Sequence, residues 1–200
     1  MTFEAFPKIP RLMRDIVVTE KLDGTNAQIL IQTHQEAVAD LSNIPPCPDY
    51  VMDDDTYVVR AGSRKRWLSP EDKTKDNFGF AKFVLDNFYA LTRALGPGRH
   101  YGEWWGAGIQ RGYGLDVKVF SLFNTARWHG ADNVPLCCEV VPVLYEGPFD
   151  QERIAGELRN LKTFGSYAAA GFMKPEGIVI YHTHARASFK VTLGSDGHKG

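Results

Sequence analysis

Two hundred residues, 44% of them hydrophobic, suit one domain with a sizeable core and room for a small extra lobe. A net charge of −1 excludes the global basic field of a nucleic-acid coat protein, while leaving room for a local cleft of Lys and Arg. No apolar run is long enough to cross a membrane, and Met1-Thr2-Phe3-Glu4 lacks a basic-then-apolar signal pattern, so a cytoplasmic protein is expected. Cys47, Cys137 and Cys138 make an odd count with neither zinc spacing nor a disulfide framework, and are expected as reduced thiols.

Residues 1–14 carry Pro7 and Pro10 without periodicity and read as an irregular lead-in. Apolar residues over 15–19 and 27–31 alternate or cluster as in half-buried strands. Between them lies Glu20-Lys21-Leu22-Asp23-Gly24-Thr25-Asn26, where Asp-Gly predicts a hairpin-like turn with Gly24 at positive φ. The residues alone suit two readings: solvated charges beside an ordinary hairpin, or a lysine set up as a nucleophile. A free lysine, pKa near ~10.4, is neutral in only about one molecule in a thousand at pH 7.5, so a nucleophilic one needs desolvation or neighbouring cations.

Residues 34–56, with Pro45-Pro46-Cys47-Pro48 and an acidic run at 53–55, read as a surface insertion. A strand resumes at Tyr57. Arg60, Arg64, Lys65 and Arg66 follow as the densest basic patch, which suits either a solvated turn or an anion site. Helix spacing runs from 78 to 95 and ends at Gly96-Pro97-Gly98. The Gly-rich segment around Glu103, Trp104 and Trp105 implies backbone held close to something flat or bulky. Residues 116–123 predict a strand, and 135–144 a buried strand interrupted by Glu139, either a paired core charge or a site residue. A helix is predicted over 149–164, with Asp150 as N-cap and Gly165 as stop. A turn follows near 168–171, then Glu176 at the head of a strand, then a closing strand at 188–192.

Lys21-x-Asp23-Gly24 resembles the lysine motif of the covalent nucleotidyltransferases: DNA ligases, RNA ligases and mRNA capping enzymes. The longer Glu-Lys-x-Asp-Gly-Thr-Asn form is most similar to the nick-sealing, phage-type RNA ligases. Ser63-Arg64 with Leu68-Ser69-Pro70-Glu71-Asp72 resembles their second motif. Tyr101-Gly102-Glu103 with Gly108-Ile109-Gln110 resembles the third, Glu176-Gly177-Ile178-Val179 the fourth, and Lys190 the first lysine of the fifth. These segments stand in the family order from about residue 15 to 193.

The resemblance implies an α+β, ATP-grasp-like nucleotidyltransferase fold: two antiparallel sheets with flanking helices around an ATP cleft. It implies a single adenylation domain over 1–200, acting as a monomer, without the OB-fold or helical domain that relatives append. It makes Lys21 the nucleophile for the α-phosphorus of ATP, with Lys190 neutralising that phosphate and Asp23 and Glu176 organising Mg²⁺ or Mn²⁺. It places Glu20, Leu22, Asn26 and Arg64 in nucleotide binding, Glu103 on the ribose hydroxyls and Phe120 against adenine. The AMP would pass to a 5′-phosphate end and be displaced by a 3′-hydroxyl, with RNA as the expected partner and DNA nicks as the alternative. Two departures keep a third reading open, a catalytically impaired nucleotide-binding relative. Thr192 replaces the second lysine of the fifth motif, and Ser121 stands where nick-sealing enzymes often carry an aspartate.

Overall fold

In chain order the elements are β1 (Asp15–Lys21), β2 (Thr25–Thr33), α1 (His34–Asp40), β3 (Tyr57–Ser63), α2 (Phe80–Asp86), α3 (Phe88–Leu95) and β4 (Gly98–Gly106). Then come β5 (Lys118–Leu122), α4 (Thr125–Trp128), β6 (Cys138–Val140), β7 (Val143–Pro148), α5 (Gln151–Phe164), β8 (Gly177–His182) and β9 (Ala187–Thr192). They belong to a computed structural model that describes residues 2–6, 8–40, 57–72 and 74–194. The acidic run at 53–55 and Pro45-Pro46-Cys47-Pro48 lie outside the described residues. No described helix is long and apolar enough to cross a membrane. The fold is α+β with two sheets, mostly antiparallel.

The chain forms two compact units, one from residues up to Lys21 with those from Pro142 onward, the other from Leu22 to Val141. In the first unit the sheet order is β7-β1-β8-β9, all antiparallel. Alternation along β1 sends Ile16 and Val18 to one face, where they pack with Ile178, Ile180 and Leu161 of α5. Helix α5 starts and stops where the sequence predicts. The Asp150 carboxylate accepts from the N–H of Glu152 at 2.8 Å, and Gly165 at φ 85° ends the helix.

In the second unit the order is β3-β2-β4-β5-β6, with β5 and β6 parallel, a departure from wholly antiparallel sheets. One face carries Ile29, Ile31, Trp104, Phe120 and Leu122, covered by Phe80, Val84, Leu91 and Leu95 of α2 and α3. Each such side chain contributes about 1.5–3 kcal/mol by leaving water. The other face carries Asn26, Gln28, Glu103 and Ser121 together with the buried Leu30 and Trp105, as period-2 alternation requires.

Four expectations change. First, β1 and β2 do not form a hairpin: β1 pairs only with β7 and β8, and β2 only with β3 and β4. The Asp-Gly segment is a crossing from one sheet to the other. Second, the predicted helix over 78–95 is two helices. Asn87 sits at φ −109°, ψ 16° and turns its amide back onto the Phe83 carbonyl at 2.8 Å, while Asn77 and Phe78 take left-handed φ and delay the start to Phe80. Third, the apolar run 135–144 divides into β6 and the start of β7, in different sheets, at Pro142, which has no N–H for a ladder. Fourth, the predicted insertion opens as helix α1. Thr33 and Glu36 cap it reciprocally: the Glu36 carboxylate accepts from the Thr33 N–H at 2.8 Å, and the Glu36 N–H donates to Thr33 Oγ1 at 3.3 Å. Cys137 and Cys138 are free thiols, as expected.

Candidate functional site

In the first unit Lys21 ends β1, on the face opposite Ile16, Val18 and Glu20. It pairs with Gly177, which pairs in turn with Thr192, while Thr19 lies across Val179 from Lys190. Directly paired residues share a face, so Lys21, Lys190 and Thr192 project from the same side of the sheet. Lys21 Nζ donates to Glu176 Oε2 at 2.6 Å, and the two side chains are 23% and 16% exposed. Gly177, beside Glu176, has φ 151°, and a Cβ there would strike the Val191 carbonyl, so only glycine lets β9 approach at this row. Lys190 itself is exposed.

Glu20 departs from its expected role. It is buried on the side of β1 away from Lys21, and its Oε2 accepts from the N–H groups of Tyr167 at 2.8 Å and Ala168 at 3.1 Å. Its carboxylate is a backbone cap inside the first unit and has no open side for a nucleotide. Burial pushes the Glu20 carboxyl above its ordinary value, although bonds from Ser166, Tyr167 and Ala168 pull it back. A raised folded-state pKa means that ionised Glu20 costs stability above the unfolded value, a cost relieved as pH falls through the folded one. Glu20→Gln should therefore match or exceed wild-type stability at pH 8, with its advantage shrinking toward pH 5. Glu20→Ala, which leaves two N–H groups unpaired, should lose about 1–3 kcal/mol. Calorimetric melting at both pH values checks this; a glutamine variant as weak as the alanine one at pH 8 would refute it.

In the second unit the crossing segment is tied down residue by residue. Leu22 is buried, so only its backbone is available to a ligand. The Asp23 N–H donates to Tyr113 Oη at 2.8 Å, and its carboxylate accepts from Arg111 Nε at 2.7 Å. Thr25 Oγ1 donates to Asn77 Oδ1 at 3.0 Å. The Gly24 N–H reaches Glu103 Oε1 at 3.2 Å, and Asn26 Nδ2 reaches Glu103 Oε2 at 3.3 Å. Glu103 is thus a nearly buried carboxylate, 8% exposed, that holds the segment following Lys21. Gly24 is required by contact and not by a positive φ: a Cβ would strike the Trp104 carbonyl and lie 2.7 Å from Trp105 Cβ. Backbone cannot yield cheaply there, so Gly24→Ala should destabilise by about 1–3 kcal/mol. That is a fall in Tm of roughly 2–12 °C for a chain of this size, and melting with the wild type would sink the assignment.

Sequence reasoning missed Arg111, Tyr113 and Asn77. The signal for the first two was Gly112 and Gly114, both at positive φ, around a tyrosine that is itself at φ 52° and nearly buried edge-on against Trp105 at 4.9 Å. Arg64 is exposed in the turn after β3, which the Ser63 N–H closes onto the Arg66 carbonyl at 2.8 Å. The turn lies at the end of the sheet that carries Asn26 and Glu103, because Ser63 pairs with Ala27. Arg60, by contrast, is buried on β3, 3.5 Å from Gln32 Oε1.

Phe120 also departs from expectation. Glu103 pairs with Ser121, so Phe120 projects from the opposite face, wholly buried and with its ring centroid 5.0 Å from that of Phe80. A stacking platform needs an open face, and this ring has none. Ser121 is buried too and accepts from Trp105 Nε1 at 2.8 Å. Among the described residues no three His, Cys, Asp or Glu side chains gather as a metal cluster.

The family model described as RNA ligase matches residues 14–192. No curated protein matches the sequence. Among solved structures, the chain is similar to a mutant of the Naegleria gruberi RNA ligase with ATP and Mn, at 18% identity and TM-score 0.59, covering 92% of this chain and 51% of that one. A mutant of the same ligase with AMP and Mn matches at 18% identity and TM-score 0.58, covering 90% and 50%. The ligase with PPi matches at 18% and 0.56, covering 90% and 49%. The chain therefore spans about half the length of these chains, and at such identities the likeness is one of fold.

Proposed function

Because the chain belongs to the RNA ligase family, we propose that it is an ATP-dependent polynucleotide ligase working through a lysyl-AMP intermediate. Its first unit carries the chemistry on phosphorus. Lys21 Nζ, once its proton has left to solvent, attacks the α-phosphorus; the N–P bond forms, the bond to the bridging oxygen breaks and pyrophosphate departs. Lys190, on the same sheet face, meets the negative charge that builds on the phosphoryl oxygens. The second unit carries the nucleoside contacts, with Glu103 and Asn26 at the crossing segment and Arg64 at the rim for phosphate. Glu103 gives up part of its hold on Gly24 and Asn26 when it meets the ribose hydroxyls.

Asp23 in the second unit or Glu176 in the first would offer a carboxylate to a magnesium or manganese ion. Both are part-exposed oxygen donors, and magnesium keeps most of its waters and needs only one or two carboxylates beside the phosphates. Bound with ATP, such an ion neutralises phosphate charge. Lys21 and Arg111 are the cations that these two carboxylates hold otherwise.

The AMP then passes to a 5′-phosphate end, which a neighbouring 3′-hydroxyl attacks to join the strand, RNA being the first substrate to offer. What carries this reading is a part-buried lysine at the end of β1, held at 2.6 Å by a carboxylate and sharing its face with a second lysine. Intact mass after incubation with ATP and Mg²⁺ tests it: the protein should gain one AMP. A folded protein that binds ATP and gains nothing is the impaired relative marked by Thr192.

A further inference from the structure

On the sheet face opposite Phe120, the second unit keeps two exposed aromatic side chains beside the row of Glu103. Tyr101 and Phe123 are 53% and 40% exposed. The Phe123 N–H donates to the Tyr101 carbonyl at 3.0 Å, continuing the β4–β5 ladder by one pair beyond Gly102 and Leu122. The two rings therefore stand side by side on the Glu103 face, one row from Glu103 and Ser121. Gln28 completes that row on β2.

Charge on this face is arranged to suit a polyanion. Arg99 is exposed on β4, two residues before Tyr101. Its Nη1 donates to Gln28 Oε1 at 2.5 Å, and its guanidinium lies 5.4 Å from the Trp67 ring centroid. Gln28 is fixed in turn by donating to the Ser63 carbonyl at 2.9 Å. Arg64 and Lys65 are exposed at the β3 rim, whereas the exposed carboxylate Glu139 lies at the far edge on β6. The cations thus line the β3–β4 side of the two rings, while the carboxylates of this face are the nearly buried Glu103 in the neighbouring row and Glu139 at the β6 edge. An aromatic pair flanked by arginines, one held flat by an amide and an indole, is the composition that single-stranded nucleic acid recognises.

We infer that Tyr101 and Phe123 form a base-stacking platform for the polynucleotide substrate, with Arg99 and Lys65 receiving its phosphates. This rests on the ligase reading for the identity of the ligand and adds the surface that grips the strand beyond the reacting end. A bare cross-strand pair would contribute only to sheet stability; a platform contributes to strand affinity.

The test is fluorescence polarisation with a 5′-phosphorylated single-stranded RNA oligonucleotide at fixed low salt, alongside the ATP dependence of AMP transfer. Tyr101→Ala and Phe123→Ala should each weaken RNA binding roughly fivefold or more, Tyr101→Trp should hold it within about twofold, and the KM for ATP should not move. Arg99→Gln should flatten the salt dependence of binding. RNA affinity unmoved in the double alanine variant, with its melting point intact, would overturn the platform. A raised KM for ATP with RNA affinity unmoved would overturn it as well, by assigning the rings to adenine. If the wild-type protein takes no AMP but the binding series behaves as stated, the ligase reading falls and the platform stands.

Discussion

Lys21→Ala should abolish the AMP adduct, leaving intact mass unchanged after incubation with ATP and Mg²⁺ under conditions where the wild type gains one AMP. The loss is complete and not graded, because alanine has no atom that can form a bond to phosphorus. The substitution has a second effect that must be separated from the first. Glu176, 16% exposed, loses the ammonium held at 2.6 Å, and a carboxylate deprived of its partner there costs about 1–3 kcal/mol. Lys21→Arg makes the separation. A guanidinium keeps a cation within reach of Glu176 but stays protonated at any working pH, so it can restore the pair and cannot act as a nucleophile. The arginine variant should melt closer to the wild type and still gain no AMP. An adduct on either variant would place the nucleophile elsewhere in the chain.

What was legible in the sequence was a set of candidates, Lys21, Asp23, Glu103, Glu176 and Lys190, because residue type and order along the chain propose them. The faces on which they stand were not. Phe120 and Ser121 differ by one position, and a one-residue phase sends a side chain to the opposite side of a sheet. Only the pairing of Glu103 with Ser121 shows that Phe120 belongs to the core and that Tyr101 and Phe123 stand on the opposite face with Glu103. Glu20 fails for the same reason, since adjacency to Lys21 in a strand guarantees that the two point apart.

The hairpin expectation failed on a different count. Asp-Gly is a sound turn signal where flanking strands pair, but β1 finds its partners in β7 and β8, more than a hundred residues on. Local propensity holds no information about that choice. Gly24 was identified correctly as a constrained position and for the wrong cause: the constraint is the approach of Trp104 and Trp105, which are eighty residues distant. Where contacts are local, as at the Asp150 cap of α5 or its Gly165 stop, sequence and structure agree.

Lys190→Ala should slow AMP transfer about 10²–10³-fold, the range for losing one preorganised donor at developing charge. The register carries the argument. Lys21, Gly177 and Thr192 form one row across β1, β8 and β9, and Thr19, Val179 and Lys190 form the next. Two strand spacings of about 4.8 Å separate the β1 and β9 positions, so both lysine side chains can reach a phosphoryl group lying over β8. A cation preformed there acts in the transition state and adds little to ground-state binding, so kcat should fall while the KM for ATP stays near its wild-type value. Thr192 stands directly across Gly177 from Lys21, and its hydroxyl brings no charge. Lys190→Ala combined with Thr192→Lys should therefore recover part of the lost rate by returning a cation to the same face. Lys190 is exposed on an edge strand, so neither substitution threatens the core. A loss of less than about fivefold in the single variant, well below one donor's usual share, would make Lys190 an ordinary surface lysine and leave phosphate neutralisation to other cations of the chain.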